Sequence, residues 1–190
     1  MASSFLKIHI TILLLFNCTA SVKLFAQEKQ LINLLNNKLQ KELKSQNDTL
    51  NYEGKKFEIV NGYSIKDSIL TMPVTNDKGE VVQIVQTNLK ILTLEVRKKQ
   101  SSNDSTYVEK QEIELNKIIA VSKDINIVFE TQPSAVKISR KSENGTTEVN
   151  YSDLFFLHLF YEKQNDYLAD DIIKAFDKLG VSIKKGRWYD

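Results

Sequence analysis

Residues 80–98, EVVQIVQTNLKILTLEVRK, read as β-structure and set the class of the fold. Their β-branched residues favour a pleated surface, and from Leu92 to Val96 the apolar side chains alternate with Thr93 and Glu95. That period of two points one strand face inward. Turn residues bracket the run, Asn76 to Gly79 before it and Ser101 to Ser105 after it. Ile125, Ile127 and Phe129 alternate with Asn126 and Val128 in the same way, so the two stretches are expected as strands of one antiparallel meander. Asn61-Gly62 and Asn144-Gly145 each sit between two short β-type runs and predict type I′ hairpin turns.

Helices are expected at both ends of the β-rich region. Leu31, Leu35, Leu39 and Leu43 recur every four residues, with Asn, Gln and Lys opposite, which predicts an amphipathic helix packed on the chain's own sheet. Leu168, Ile172, Phe176 and Leu179 form a second stripe, with Asp170 and Asp171 early and Gly180 just after it, predicting a helix over about 166–179. Leu154 to Tyr161 is apolar on both faces and is expected as a central strand, and Val181 to Ile183 as a short terminal one. The fold class is therefore α+β: an antiparallel β-rich core, a bent sheet or small roll, with an N-terminal amphipathic helix and a closing C-terminal helix. Residues 1–26 are expected as a signal peptide, 27–48 as the N-terminal helix, and 49–190 as one domain.

Hairpins followed by one C-terminal amphipathic helix resemble the pleckstrin-homology-like architecture, over about Phe57 to Leu179. The resemblance implies a bent sheet closed at one end by the helix. The family's phosphoinositide role would need basic residues clustered in the first hairpin loops, where this chain has Lys55, Lys56, Lys66 and Lys78 among acids. The fold is carried over and the lipid role is not.

The first 26 residues direct the chain out of the cytoplasm. Lys7 precedes the apolar run Ile8 to Phe16, which gives way to small and polar residues ending at Ala26, the layout of a secretory signal. Asn17, Thr19, Ser21 and Lys23 interrupt it too early for a membrane span of about 20 residues. Cleavage is expected after Ala26, with Ala20 as the other small-residue site, and lipidation at Cys18 ranks second because Asn17 stands where a small residue belongs. A secreted or periplasmic location follows, with membrane attachment only through Cys18.

Cleavage takes Lys7 and Lys23 from 26 basic residues and none of the 24 acidic ones, leaving 24 of each. A nucleic-acid binder needs a cationic surplus to release counterions, so nucleic acid is not expected as a partner. Cleavage also takes Cys18, the single cysteine, and His9, one of two histidines. Disulfides, a cysteine nucleophile and a Cys/His zinc cluster are excluded from the exported chain. His158 remains, inside an apolar run that favours a packing role. Six glycines with no phosphate-loop or dinucleotide arrangement leave no expected cofactor, and no metal site is read.

Three constellations deserve chemical names. Asp166 and Asp170, one helical turn apart, together with Asp153 and Glu162, would be the catalytic set of a carboxylate-dependent hydrolase, although acids in a first turn ordinarily complement the helix dipole. Arg187, Trp188 and Tyr189, beside Lys184 and Lys185, mix basic and aromatic groups that would contact a ligand if they shared a face; Trp188 is otherwise a residue folded back on the sheet. Asp48-Thr49-Leu50, Asp67-Ser68-Ile69 and Asp104-Ser105-Thr106 resemble a bacterial O-glycosylation signal, and Asn47, Asn103, Asn144 and Asn150 head Asn-x-Ser/Thr sequons. The resulting expectation is a non-catalytic envelope protein that binds a protein or glycan. The alternatives are a hydrolase of envelope glycans and an assembly subunit docking through an exposed Leu31–Leu43 stripe.

Overall fold

The computed structural model describes residues 25–47, 54–100, 105–160 and 163–189. The fold is α+β, with two helices on an antiparallel β-rich core that does not close into a barrel. Helix α1 covers residues 25–45. Strands β1 (Phe57–Thr75), β2 (Val81–Lys99), β3 (Thr106–Glu114), β6 (Val136–Ser142) and β7 (Thr147–Ser152) form a sheet in the order β1-β2-β3-β6-β7, every pair antiparallel. A 3₁₀ turn, Leu115–Lys117, leads from it into the second sheet. There β4 (Ile118–Lys123), β5 (Ile127–Thr131), β8 (Leu154–Phe156) and β9 (Lys184–Trp188) run in the order β8-β5-β4-β9. Helix α2, Asp166–Lys178, precedes β9.

Both sheets and both helices supply one core. Leu31, Leu35 and Leu39 of α1 meet Leu92, Leu94 and Val96 of β2, Phe129 of β5, and Leu168, Ile172 and Phe176 of α2. Phe129 and Phe176 pack edge to face with ring centres 5.4 Å apart. The helices run antiparallel, since Lys38 reaches the Tyr167 hydroxyl while Lys178 reaches Gln30. Polar residues on the inward side of α1, and Gln46 just after its end, bind the backbone they lie against. The Asn36 amide takes both the N–H and the C=O of Tyr63, at 2.8 and 3.0 Å, Gln46 accepts from the Phe57 N–H, and Glu42 accepts from the Phe160 N–H.

Several expectations change in detail. Asn61-Gly62 does not turn the chain: β1 runs on through register shifts on either side of Asn61, and the extra residues are absorbed as bulges where Asn36 holds Tyr63. Asn144-Gly145 does reverse the chain, but only Gly145 has positive φ, at 86°, and the Gly145 N–H returns to the Ser142 carbonyl. The Asn76–Gly79 turn repeats that pattern with Gly79 at φ 79°. Both are three-residue loops ending in a left-handed glycine rather than type I′ turns. Leu92–Val96 and Ile127–Phe129 lie in different sheets, and Ile125 is exposed in the turn before β5.

The expected central strand Leu154 to Tyr161 is a three-residue edge strand. His158 has φ 53°, which ends the pairing one residue after the Leu157 N–H bonds the Ile127 carbonyl. Val181 to Ile183 is not a strand either. After Gly180, at φ 75°, the Val181 N–H bonds back to the Phe176 carbonyl and the Gly180 N–H to that of Asp177, a Schellman helix end. The strand begins at Lys184 and lies parallel to β4.

Candidate interaction surface

The β1–β2 hairpin outruns the body. β3 stops opposite Ile91, where Glu114 is its last paired residue, yet β1 and β2 stay in register from Ser64↔Thr93 out to Val74↔Gln83. Residues 66–75 and 81–90 thus form a two-stranded arm with no strand on either side among the described residues. Its apolar side chains are in the open: Ile69 and Ile84 are each 63% exposed and Val82 60%, whereas Leu94 in the anchored half is 1% exposed. Cross-strand pairing puts Leu70, Met72 and Val74 on one face with Val85 and Leu89, and puts Ile69, Pro73 and Ile84 on the other with Asn88 and Gln86. At the base, Lys90 binds both Glu28 of α1 and Asp67 of β1. At the tip, Asn76 accepts from the N–H groups of Lys78 and Glu80.

A pocket of about 320 Å³ opens where the end of α1 meets the start of α2, with Lys38, Lys41 and Lys44 at the rim and Leu159 and Leu168 in the wall. Lys38 also lies over the Tyr167 ring, 4.7 Å from its centre, and Asn165 accepts from Lys123 at 2.9 Å. The lining also holds Glu42, which accepts from the Phe160 N–H, and Ser45, whose hydroxyl donates to the Lys41 carbonyl.

A polar cluster fills the inward face of the first sheet near its Lys98 end. Glu109 sits between Lys98 at 2.6 Å and Arg140 at 2.9 Å. Burial pushes the Glu109 carboxyl up, but the two cations outweigh it and hold the group below the ordinary carboxyl range. Burial also lowers the Lys98 amine. One residue pair along, the Gln111 side chain imitates a strand, accepting from the Phe156 N–H at 2.9 Å and donating to its C=O at 3.2 Å. The first sheet is thereby tied to β8. Because the Gln111 oxygen is taken, its NH₂ faces Nε2 of His158 at 3.3 Å, so that nitrogen is the acceptor of a neutral ring. Burial, reinforced by the charge of Lys98, lowers the His158 pKa to about 3. His158 stacks between Phe57 and Phe160 and carries no catalytic geometry.

The carboxylates singled out in the sequence do not form one constellation among the described residues. Asp166 and Asp170 come together around Lys185, at 2.6 and 4.0 Å. Asp153, at the β7–β8 junction, accepts from the Ser134 N–H at 2.6 Å. Glu162, Cys18, and all of the expected signal segment before Phe25 lie outside the described residues. Trp188 is half-buried against the core with Lys123 and Lys185 each 6.0 Å from its ring centre, while Arg187 and Tyr189 face solvent. Alternation along β9 therefore splits the proposed aromatic-basic contact. The leucine stripe of α1 is covered, with Leu31, Leu35 and Leu39 fully buried.

Among the described residues no group of three His, Cys, Asp or Glu side chains is placed to hold a metal, and no helix is long and apolar enough to cross a membrane. No family model, curated protein or solved structure matches the chain. Sequence reasoning placed the β2 strand of the arm but not β1 beyond Ile65, and it missed the projection. The available signal was the loss of strict alternation: from Val81 to Leu89 apolar and amide side chains occur on both faces, unlike the one-sided Leu92–Val96.

Proposed function

We propose that this chain is an exported, non-catalytic envelope protein that acts by binding another protein, and that the β1–β2 arm is the surface it uses. The observation that supports this reading most is the exposure of Ile69, Leu70, Met72, Val74, Val82 and Ile84 on one projecting element. Isolated apolar side chains on a surface need no explanation, but a contiguous group on a ribbon whose backbone edges are also open favours a partner. A protein partner suits the arm better than a glycan. It lacks the exposed tryptophan or tyrosine platform and the clustered polar groups that sugars favour, and it offers aliphatic side chains and backbone hydrogen bonds. The carboxylate hydrolase finds no comparable support, because Asp166 and Asp170 share one lysine and Asp153 serves a turn.

The test places a photoreactive residue at Leu70, and separately at Lys184 on the body, in cells that export the chain from its own leader. Adducts specific to position 70 are expected. They should disappear when residues 71–74 are deleted together with their partners 83–86, which removes four rungs, keeps the probe at position 70 and keeps the facing of the rest. Adducts of equal yield at both positions, or turnover of envelope glycan abolished by Asp166→Asn, would overturn the reading.

A further inference from the structure

The two long edges of the arm are not equivalent. Gln100 donates its N–H to the Ser105 carbonyl at 2.9 Å, which fixes the phase of the β2–β3 ladder, and the register holds without a shift to Ile91. Alternation then directs the backbone groups of the even residues of β2 away from β1. Beyond the end of β3 those residues are Ile84, Gln86, Asn88 and Lys90, and their N–H and C=O groups face outward. On the other edge Pro73 stands opposite Ile84, at the position whose N–H would point outward from β1. Proline has none, so the β1 edge is blocked midway. Between Val81 and Leu89 the β2 edge has no proline, glycine or charge.

Resting on the reading of the arm as a binding surface, we infer that the β2 edge pairs antiparallel with the same edge of a second copy, on a two-fold axis through Val85. Three observations select this occupant and register. The open edge runs from Val81, just after the turn, to Leu89, just before the end of β3, and Val85 is its midpoint, so that register fills the edge and leaves no overhang. Antiparallel pairing requires outward-facing residues to meet outward-facing ones, and the axis at Val85 pairs Ile84 with Gln86, both outward-facing, within the regular stretch that ends at Gln83. Charge also agrees. The tip residues Asp77, Lys78 and Glu80 sum to −1, the base residues Lys66, Asp67 and Lys90 to +1, and the axis sets Glu80 of one copy opposite Lys90 of the other, which also binds Glu28. Parallel pairing would set tip on tip.

The product is a four-stranded sheet. Its central rows join Met72, Val85 and their symmetry mates, and set Gln83 beside Thr87. A two-stranded ribbon without a core is marginal in water, and a strand added at its open edge supplies the missing pairing. The contact is isologous, so it closes at two copies.

The experiment uses the chain exported from its own leader in a Cys18→Ser background. Val85→Cys is expected to give a disulfide-linked dimer under mild oxidation, since side-by-side residues at a non-hydrogen-bonded position lie about 4.5 Å apart at Cα. Asn88→Cys should not, because the two copies of residue 88 would be six positions apart, roughly 20 Å. Gln86→Pro removes an outward N–H and should convert the dimer seen by light scattering to monomer without changing the far-ultraviolet spectrum of the body. A monomer at every concentration, or equal linkage at 85 and 88, would overturn the self-pairing. If photoadducts at Leu70 hold only another protein, self-pairing fails while the arm remains the binding surface. If no adduct is specific to the arm, both readings fall.

Discussion

The inner and outer halves of the β1–β2 hairpin are built from the same two strands and obey different rules. In the inner half Leu92, Leu94 and Val96 are buried, Tyr63 is clamped by Asn36, and the register shifts twice to bend β1 around the core. In the outer half the register is regular for eight consecutive pairs, from Asp67↔Lys90 to Val74↔Gln83, and no residue of the arm is buried. The half that must fit a helix and a second sheet carries two shifts within a few residues, and the arm carries one, next to its turn.

The largest test of this contrast compares Leu94→Ala with Val82→Ala. Emptying the buried site should cost about 2–5 kcal/mol in urea unfolding, and the exposed site should change stability by less than about 0.5 kcal/mol. An equal cost at Val82 would mean that the arm is covered within the folded chain.

Acid separates the halves next. His158 has a pKa of about 3 in the folded protein against an ordinary 6.5, so the unfolded chain binds the proton first. Its contribution is complete above that ordinary value and is lost as pH falls toward 3. The expected slope is about 1.4 kcal/mol per pH unit from this one group. Glu109 adds its own loss only below about pH 4.5, the ordinary value beneath which it is held. Urea midpoints measured stepwise from about pH 6 to about pH 5 should fall, and His158→Gln should flatten that fall. The arm has no titratable side chain from Ser68 to Thr75 or from Val81 to Leu89, so its own pairing should not respond. A midpoint independent of pH would remove the buried neutral histidine.

The smallest test uses two matching turns. Gly79 and Gly145 hold the same left-handed position, and alanine at either costs about 1 kcal/mol locally. Gly145→Ala should shift the unfolding midpoint, because β6 stays paired with β3 up to Ser142, beside the turn. Gly79→Ala should leave the midpoint in place and instead speed amide exchange in the arm, since a ribbon outside the core opens without unfolding the rest. Matching midpoint shifts would show that the arm and body unfold as one.

Helix α1, helix α2 and the alternating run at Leu92 were legible because each shows a face, and a face implies a core to meet it. The long β2 strand was legible as β but not as an arm, because its outer residues carry amides and aliphatics on both sides. The ion pairs of Asp166 and Asp170 were not legible for a related reason: Lys185, which gathers them, lies on a strand whose parallel pairing with β4 leaves no short-range trace. Gln111 was invisible for the same cause. A glutamine that substitutes for a backbone partner announces itself only when Phe156, 45 residues later, comes to lie beside it.

The parallel seat of β9 on β4 also sets an order of events. As the chain emerges in sequence, the arm can close as soon as its turn appears, while β4 must wait for a strand some 60 residues downstream. Until then one side of β4 is a bare strand on a half-made sheet, exposed to any extended segment nearby. The docking is also close enough to act as a gauge, because a methyl group at Gly186 would fall 1.9 Å from the Ser122 hydroxyl oxygen. Only a segment that is thin at that point can take the seat.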